Sequence, residues 1–212
     1  MEMIDVLIYE ITKRHKLIDF DEVISITPYG SKVYGTATEK SDLDFVVIHS
    51  GTNDELYTSD MIDVHFISLN TFKELLDKHD IMALEVYYWN KQFNPSAKIS
   101  NLIDFNLDKV KLRKSISAIV NNSWVKAKKK MTLPDENSYI GLKSLFHSFR
   151  ILDFGIQLAT NNKINFSSKN VFWEELKELW NVTQKWDDFY NRYKQKHNHL
   201  MSEFKQVAPK DY

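Results

Sequence analysis

The sequence predicts an α/β (α+β) fold, with a small sheet confined to the first half and a helical second half. Three observations carry this expectation. Short apolar runs suited to strands occur at residues 23–27, 43–49 and 61–68. From residue 107 to 196, apolar residues recur at three- and four-residue spacing. Glycine and proline are scarce, 5 and 4 in 212 residues, which favours long helices and short connections.

In chain order, Ile4, Leu7, Ile8 and Ile11 give residues 3–16 the spacing of an amphipathic helix. Val23-Ile24-Ser25-Ile26-Thr27 is a β-branched run bounded by Pro28 and Gly30, hence a strand. Leu43–His49 and Met61–Ser68 are two more strands, and Ser50-Gly51-Thr52-Asn53-Asp54 between them suits a hairpin turn. Helices are expected over 70–79 and 81–90. Asn94-Pro95-Ser96 is the best linker, followed by a connector to about Asn106. Helices over 107–130, 136–160 and 172–196 complete the chain, with Asp135 capping the second and Asn161-Asn162 ending it. The tail after Val207 is expected to be loose. The sequence therefore divides into a core of residues 1–105 and a helical domain of residues 106–212.

Composition narrows the function. Hydrophobic residues at 43% and charged residues at 27% exclude global disorder. No apolar run approaches the roughly 20 residues of a membrane span. The acidic start Met1-Glu2-Met3-Ile4-Asp5 is unlike a signal peptide, so a cytoplasmic location is expected. With no cysteine, disulfides, thiolate metal sites and a cysteine nucleophile are excluded. The net charge of −1 conceals a division: residues 1–105 hold 9 basic and 18 acidic side chains, and residues 106–212 hold 19 and 11. A half at −9 suits cations and a half at +8 suits a polyanion.

The chemistry concentrates in Tyr29-Gly30-Ser31-Lys32-Val33-Tyr34-Gly35 and Ser41-Asp42-Leu43-Asp44, which hold two of the five glycines. An Asp-x-Asp pair alone is common; Asp19-Phe20-Asp21 is another, and it does not itself open a strand. Here, however, a strand ends at Gly30-Ser31, and Asp42-x-Asp44 opens the next strand. Asp63 lies on the strand after that. Alternation puts Asp42 and Asp44 on one face, and Asp63 can join them. Three convergent carboxylates repel one another, or protonate if buried. Divalent cations remove both problems, and an all-oxygen set favours Mg²⁺ or Mn²⁺. Gly30 lets backbone approach a phosphate closely, and Ser31 opens a helix whose first amides favour anions.

Gly-Ser, then Asp-x-Asp, then an Asp on the next strand resembles the nucleotidyltransferase superfamily of DNA polymerase β. The finer pattern Gly30, Ser31, Tyr34, Gly35, Ser41, Asp42, Asp44 is similar to one branch, the RlaP-like predicted nucleotidyltransferases linked to RNA repair. Asp63-Val64, the acidic-aromatic Leu84-Glu85-Val86-Tyr87-Tyr88, and Lys143, His147 and Arg150 on one helix extend the likeness over roughly residues 22–155. The resemblance implies a core with a small mixed sheet over 1–105 and a nucleotide- and acceptor-binding helical domain over 106–212. It implies transfer of a nucleoside monophosphate from an NTP to an acceptor hydroxyl on RNA (a tRNA or an RNA end), with pyrophosphate released. Two Mg²⁺ or Mn²⁺ ions would be held by Asp42, Asp44 and Asp63. Gly30, Ser31, Lys143, His147 and Arg150 would bind the nucleotide. The alternatives are a protein AMPylator using the same site, or an inactive nucleotide-binding, antitoxin-like module.

Other features have bland readings. Lys143, His147 and Arg150 form a stripe on a helix apolar almost all round, so their anionic partner is an internal carboxylate or a nucleotide phosphate. Lys126, Lys128, Lys129 and Lys130, with Lys109, Lys111, Arg113 and Lys114 before them, form a solvated helix face or, beside Trp124, a contact for nucleic-acid backbone. Phe172, Leu176, Leu179, Thr183 and Trp186, with Trp173 and Trp180 beside them, form a core stripe. His197-x-His199 is expected at the surface, and His65 shares a strand face with Asp63.

Overall fold

The computed structural model describes residues 3–15, 17–94, 98–133, 138–166 and 171–210. The expected cap Asp135 and the linker residues Pro95 and Ser96 lie outside the described residues. The chain forms two compact units, Met1–Asn106 and Leu107–Tyr212.

In the first unit, helix α1 (Met3–His15) leads through a one-turn 3₁₀ segment to strand β1 (Val23–Tyr29). The short helix α2 (Gly30–Val33) follows at once, and then strands β2 (Leu43–His49), β3 (Glu55–Thr58) and β4 (Ile62–Ser68). The strand order is β1-β2-β4-β3. β1 runs antiparallel to β2, β2 parallel to β4, and β3 antiparallel to β4, so the small mixed sheet is present. One face packs Phe45, Val47, Val64 and Phe66 against Ile8 and Ile11 of α1. β2 is buried along its length after Asp44, as a central strand covered on both faces must be.

The hairpin expected at residues 50–54 is absent, because β2 and β4 are parallel. The chain passes from β2 to the far edge, forms β3, and turns back at Ser59-Asp60-Met61 into β4. Ser59 makes that turn: its Oγ accepts from the Ile62 N–H at 3.2 Å and its N–H donates to the Ile62 carbonyl at 3.0 Å. Asp54 fixes the crossing by accepting the Ser68 N–H at 2.7 Å. Glu55-Leu56-Tyr57-Thr58 is a short, mostly exposed edge strand, with no apolar run to announce it.

Helices α3 (Leu69–Asp77), α4 (Ile81–Phe93) and α5 (Lys98–Leu102) complete this unit. Ser68 caps α3 by accepting from Thr71 N–H, and Asp80 caps α4 through Met82 and Ala83 N–H. Between them His79 takes a left-handed φ of 56°.

The second unit is helical: α6 (Lys109–Thr132), α7 (Ser138–Asn161), α8 (Val171–Trp180) and α9 (Trp186–Val207). α7 ends where Asn161-Asn162 predicts, with Asn162 at φ 51°. The single helix expected over 172–196 is two. Thr183 interrupts it: its Oγ1 donates to Asp188 Oδ2 at 2.6 Å and accepts the Lys185 N–H at 3.2 Å, side-chain bonds that compete with helical ones. The stripe around it is core, with Trp173, Leu176 and Trp186 buried. Beyond Val207, where a loose tail is expected, Ala208 is buried and its carbonyl accepts from Arg113 Nη1 at 2.8 Å. Among the described residues, no helix is long and apolar enough to cross a membrane.

Candidate active site

Pleat and register assemble the acidic residues. Asp42 precedes β2 by one residue, Asp44 lies two residues further on, and the parallel register pairs Asp44 with Asp63 of β4. Side chains two apart share a face, so the three carboxylates converge: one oxygen from each lies within 4.8 Å of the others. All three residues are partly buried.

The turn after β1 closes against this cluster. Gly30 has φ +72°, and a Cβ there would fall 1.9 Å from Asp44 Oδ2. Glycine is thus required twice, by the backbone and by the neighbouring carboxylate. The sequence suggests approach to a phosphate; the structure shows approach to Asp44 itself. Burial raises the Asp44 carboxyl above its ordinary range, Asp42 and Asp63 push it further, and the Ser31 backbone N–H and His65 oppose the shift. Ser31 Oγ and Asp63 Oδ1 are buried without a hydrogen-bond partner among the described residues. Such atoms are rarely left so in native proteins. A raised carboxyl, an orphaned carboxylate oxygen and an all-oxygen donor set fit a hard divalent cation. His65 is exposed.

Two residues of α4, Glu85 and Asn90, bond to the turn and to the strand before it. The Tyr34 hydroxyl donates to Glu85 Oε2 of α4. Asn90, also on α4, accepts from Ser25 Oγ at 2.8 Å and donates to Thr27 Oγ1 at 2.7 Å. The sequence signal was a carboxylate and an amide inside the apolar run 81–90.

The basic stripe of α7 divides with depth. Lys143 is exposed, His147 is partly buried, and Arg150 is only 1% exposed. Arg150 Nη2 donates to His147 Nδ1 at 3.0 Å, and its guanidinium lies over the Phe154 ring at 5.1 Å. Burial, then Arg150 and Lys126, push the His147 imidazole down to about 3, so it is neutral and can accept. On α6, Lys126, Lys128 and Lys129 are exposed and Lys130 is half-buried. Trp124 beside them is covered by Trp186, His197 and the Lys194 amine. The expected surface position of His197 is overturned: it is 6% exposed, with its ring 4.1 Å from that of Trp124. Only His199 of the pair is exposed.

No curated protein matches the chain. Among solved structures it is similar to a nucleotidyltransferase-like protein from Exiguobacterium sibiricum, with a TM-score of 0.31 and 11% identity. That alignment covers 97% of this chain and 74% of that one. The family model described as "Nucleotidyltransferase domain" matches residues 5–117, a span that holds the sheet, the glycine turn and all three aspartates. The chain belongs to the nucleotidyltransferase domain family.

Proposed function

We propose that the protein transfers a nucleoside monophosphate from an NTP to an acceptor hydroxyl, releasing pyrophosphate, and that the acceptor is RNA, a tRNA or an RNA end. The observation that carries this reading is the carboxylate cluster closed by the Gly30-Ser31 turn, with Ser31 Oγ and Asp63 Oδ1 both without a hydrogen-bond partner among the described residues. Asp42 and Asp44 would hold two ions, Mg²⁺ or Mn²⁺, and Asp63 would complete the one on the acceptor side. Bound there, such ions lower the pKa of an acceptor hydroxyl and offset charge on the transferred phosphoryl group.

The chain's own contribution is to position. The Ser31 hydroxyl is a donor for a phosphate oxygen, and Gly30 leaves the turn free of a side chain at that point. Asp44, whose carboxyl is raised by burial and then by Asp42 and Asp63, accepts a hydrogen bond from the Ser31 N–H. Of Lys143, His147 and Arg150, we assign the phosphate contact to Lys143, whose amine is exposed. Arg150 and His147 are bonded to each other and support the helix that carries it. Lys126, Lys128 and Lys129, all exposed, suit an RNA backbone.

The test incubates the protein with each labelled NTP, Mg²⁺ or Mn²⁺, and RNA or lysate protein. Label in RNA with stoichiometric pyrophosphate supports the proposal. Label in protein instead assigns the site to AMPylation, and binding without pyrophosphate release assigns it to an inactive module. For the RNA surface, neutralising Lys126, Lys128, Lys129 and Lys130 together should flatten the slope of log K against log salt. The expected change is about 0.7 for each true phosphate contact on a single strand, with NTP affinity unchanged. An unchanged slope leaves the run as a solvated face.

A further inference from the structure

Glu85 lies outside the carboxylate cluster, yet it is 2% exposed within the apolar helix α4. A carboxylate in such a place is costly unless donors meet it. One donor is the Tyr34 hydroxyl. Tyr34 is the residue that closes the Gly30–Val33 turn: its N–H donates to the Gly30 carbonyl at 3.2 Å, and its ring meets that of Tyr29 edge-on at 5.7 Å. The Thr36 N–H then donates to the Ser31 carbonyl at 2.9 Å. α2 itself is a single turn without a side-chain cap bond, so it has little intrinsic means of holding its conformation. Five residues along α4, Asn90 holds the preceding strand through Ser25 and Thr27, and braces its own amide on the Val86 carbonyl at 2.9 Å. α4 thus grips both the strand that enters the turn and the residue that closes it.

We propose that Glu85 is a positioning residue for nucleotide binding. Through the Tyr34 hydroxyl it fixes the Gly30–Tyr34 turn, and with it the Ser31 hydroxyl and N–H beside Asp44. This rests on the nucleotidyl-transfer reading. Neither Glu85 nor Tyr34 is a metal ligand, so the two layers separate: removing the brace affects the phosphate-binding turn and leaves the carboxylates in place.

The test compares Tyr34→Phe, Glu85→Gln, Glu85→Ala and the pair Tyr34→Phe/Glu85→Ala. It measures KM and kcat for the NTP, Mn²⁺ affinity by EPR, and melting temperature. Tyr34→Phe is expected to raise the NTP KM about tenfold, the scale of one lost charge-assisted hydrogen bond. Its kcat should change less, and its Mn²⁺ affinity should stay near wild type. Glu85→Gln keeps an acceptor oxygen for Tyr34 and should largely preserve KM. Glu85→Ala should match Tyr34→Phe, and the pair should be no worse than either alone. If Glu85→Ala does not fold, Tyr34→Phe against Glu85→Gln decides. A Tyr34→Phe protein that melts lower but keeps its KM overturns the positioning role and leaves the transfer reading standing. Wild-type protein that binds Mn²⁺ yet turns over no NTP overturns the transfer reading, and this proposal with it.

Discussion

Replacing Gly30 by alanine tests whether the turn and the carboxylates form one unit. The backbone at Gly30 has φ +72°, so any L-residue incurs the left-handed penalty there, about 1–2 kcal/mol. The methyl group adds a second, local effect. It would sit 1.9 Å from Asp44 Oδ2, 2.4 Å from its Cγ and 2.8 Å from its Cβ. Rotating the carboxylate cannot clear the last of these, because Cβ is fixed by the strand. The turn or the start of β2 must therefore shift, and with it a proposed metal ligand. A misplacement on the order of 1 Å in a catalytic constellation costs about 10²-fold in rate. Gly35 is the matched control: its φ is +70°, and a Cβ there would meet nothing within 4 Å. Gly35→Ala should show only the backbone penalty, a fall in melting temperature of about 2–8 °C, with turnover near wild type. Gly30→Ala should lose about 10²-fold or more in turnover and weaken Mn²⁺ binding by EPR. If the two variants keep equal turnover and equal Mn²⁺ affinity, Gly30 matters only for its backbone angle and the argument for a joined site is wrong.

Two further outcomes follow from the ionisable groups. Because the folded-state pKa of Asp44 is raised, its favourable contribution is present below its unfolded value and is lost as pH rises through the folded one. At neutral pH in EDTA, Asp44→Asn should therefore melt higher than wild type. With saturating Mg²⁺ the order should reverse, since a ligand that binds the folded state adds stability to wild type, and turnover of the variant should be lower by about 10² or more. Asp19→Asn, at the cap of the 3₁₀ turn, should leave turnover intact. Burial, with Lys194, pushes the His197 imidazole down to about 4 from 6.5, so the unfolded chain binds the extra proton first. Stability should fall as pH drops from about 6.5 to 4, by up to about 3 kcal/mol from this group. His147 adds a slope of the same sign. Urea midpoints at pH 7 and 4.5 should therefore converge in His197→Phe relative to wild type, and an unchanged gap would remove His197 as a source.

What could be read from the sequence depended on how local each signal was. The carboxylate cluster needed only the period of two in LDFVVIH and IDVHFIS and a strand beside a strand, and the register Asp44 to Asp63 supplied the rest. The direction of the strands was not local. An apolar run says nothing about its partner, and the Ser50–Asp54 segment has hairpin composition although it serves as a crossing. β3 could not be read because an exposed edge strand need not alternate. The break between α8 and α9 was hidden because apolar spacing continues through it from Leu179 to Thr183 and Trp186, while Thr183 forms its bonds forward to Lys185 and Asp188.

The basic stripe of α7 shows how a sound energetic premise can still leave the partner open. A cation on a mostly apolar helix does need compensation, and Arg150 is indeed almost fully buried. The partner inferred for it was an anion. The structure adds a neutral imidazole on its own helix, held uncharged by burial and by Arg150 itself, and an aromatic face. Hydrogen bonds from a guanidinium need acceptors, and a charge-bearing acceptor is one class among several. Residues three apart on a helix are neighbours, so His147 was always within reach of Arg150. Lys143 shares the stripe but lies exposed nearer the start of the helix, with its amine over the Tyr139 ring at 5.3 Å. Three residues on one stripe thus meet three environments. A helical wheel records angle, whereas burial also varies along the axis, from exposed Lys143 to buried Arg150.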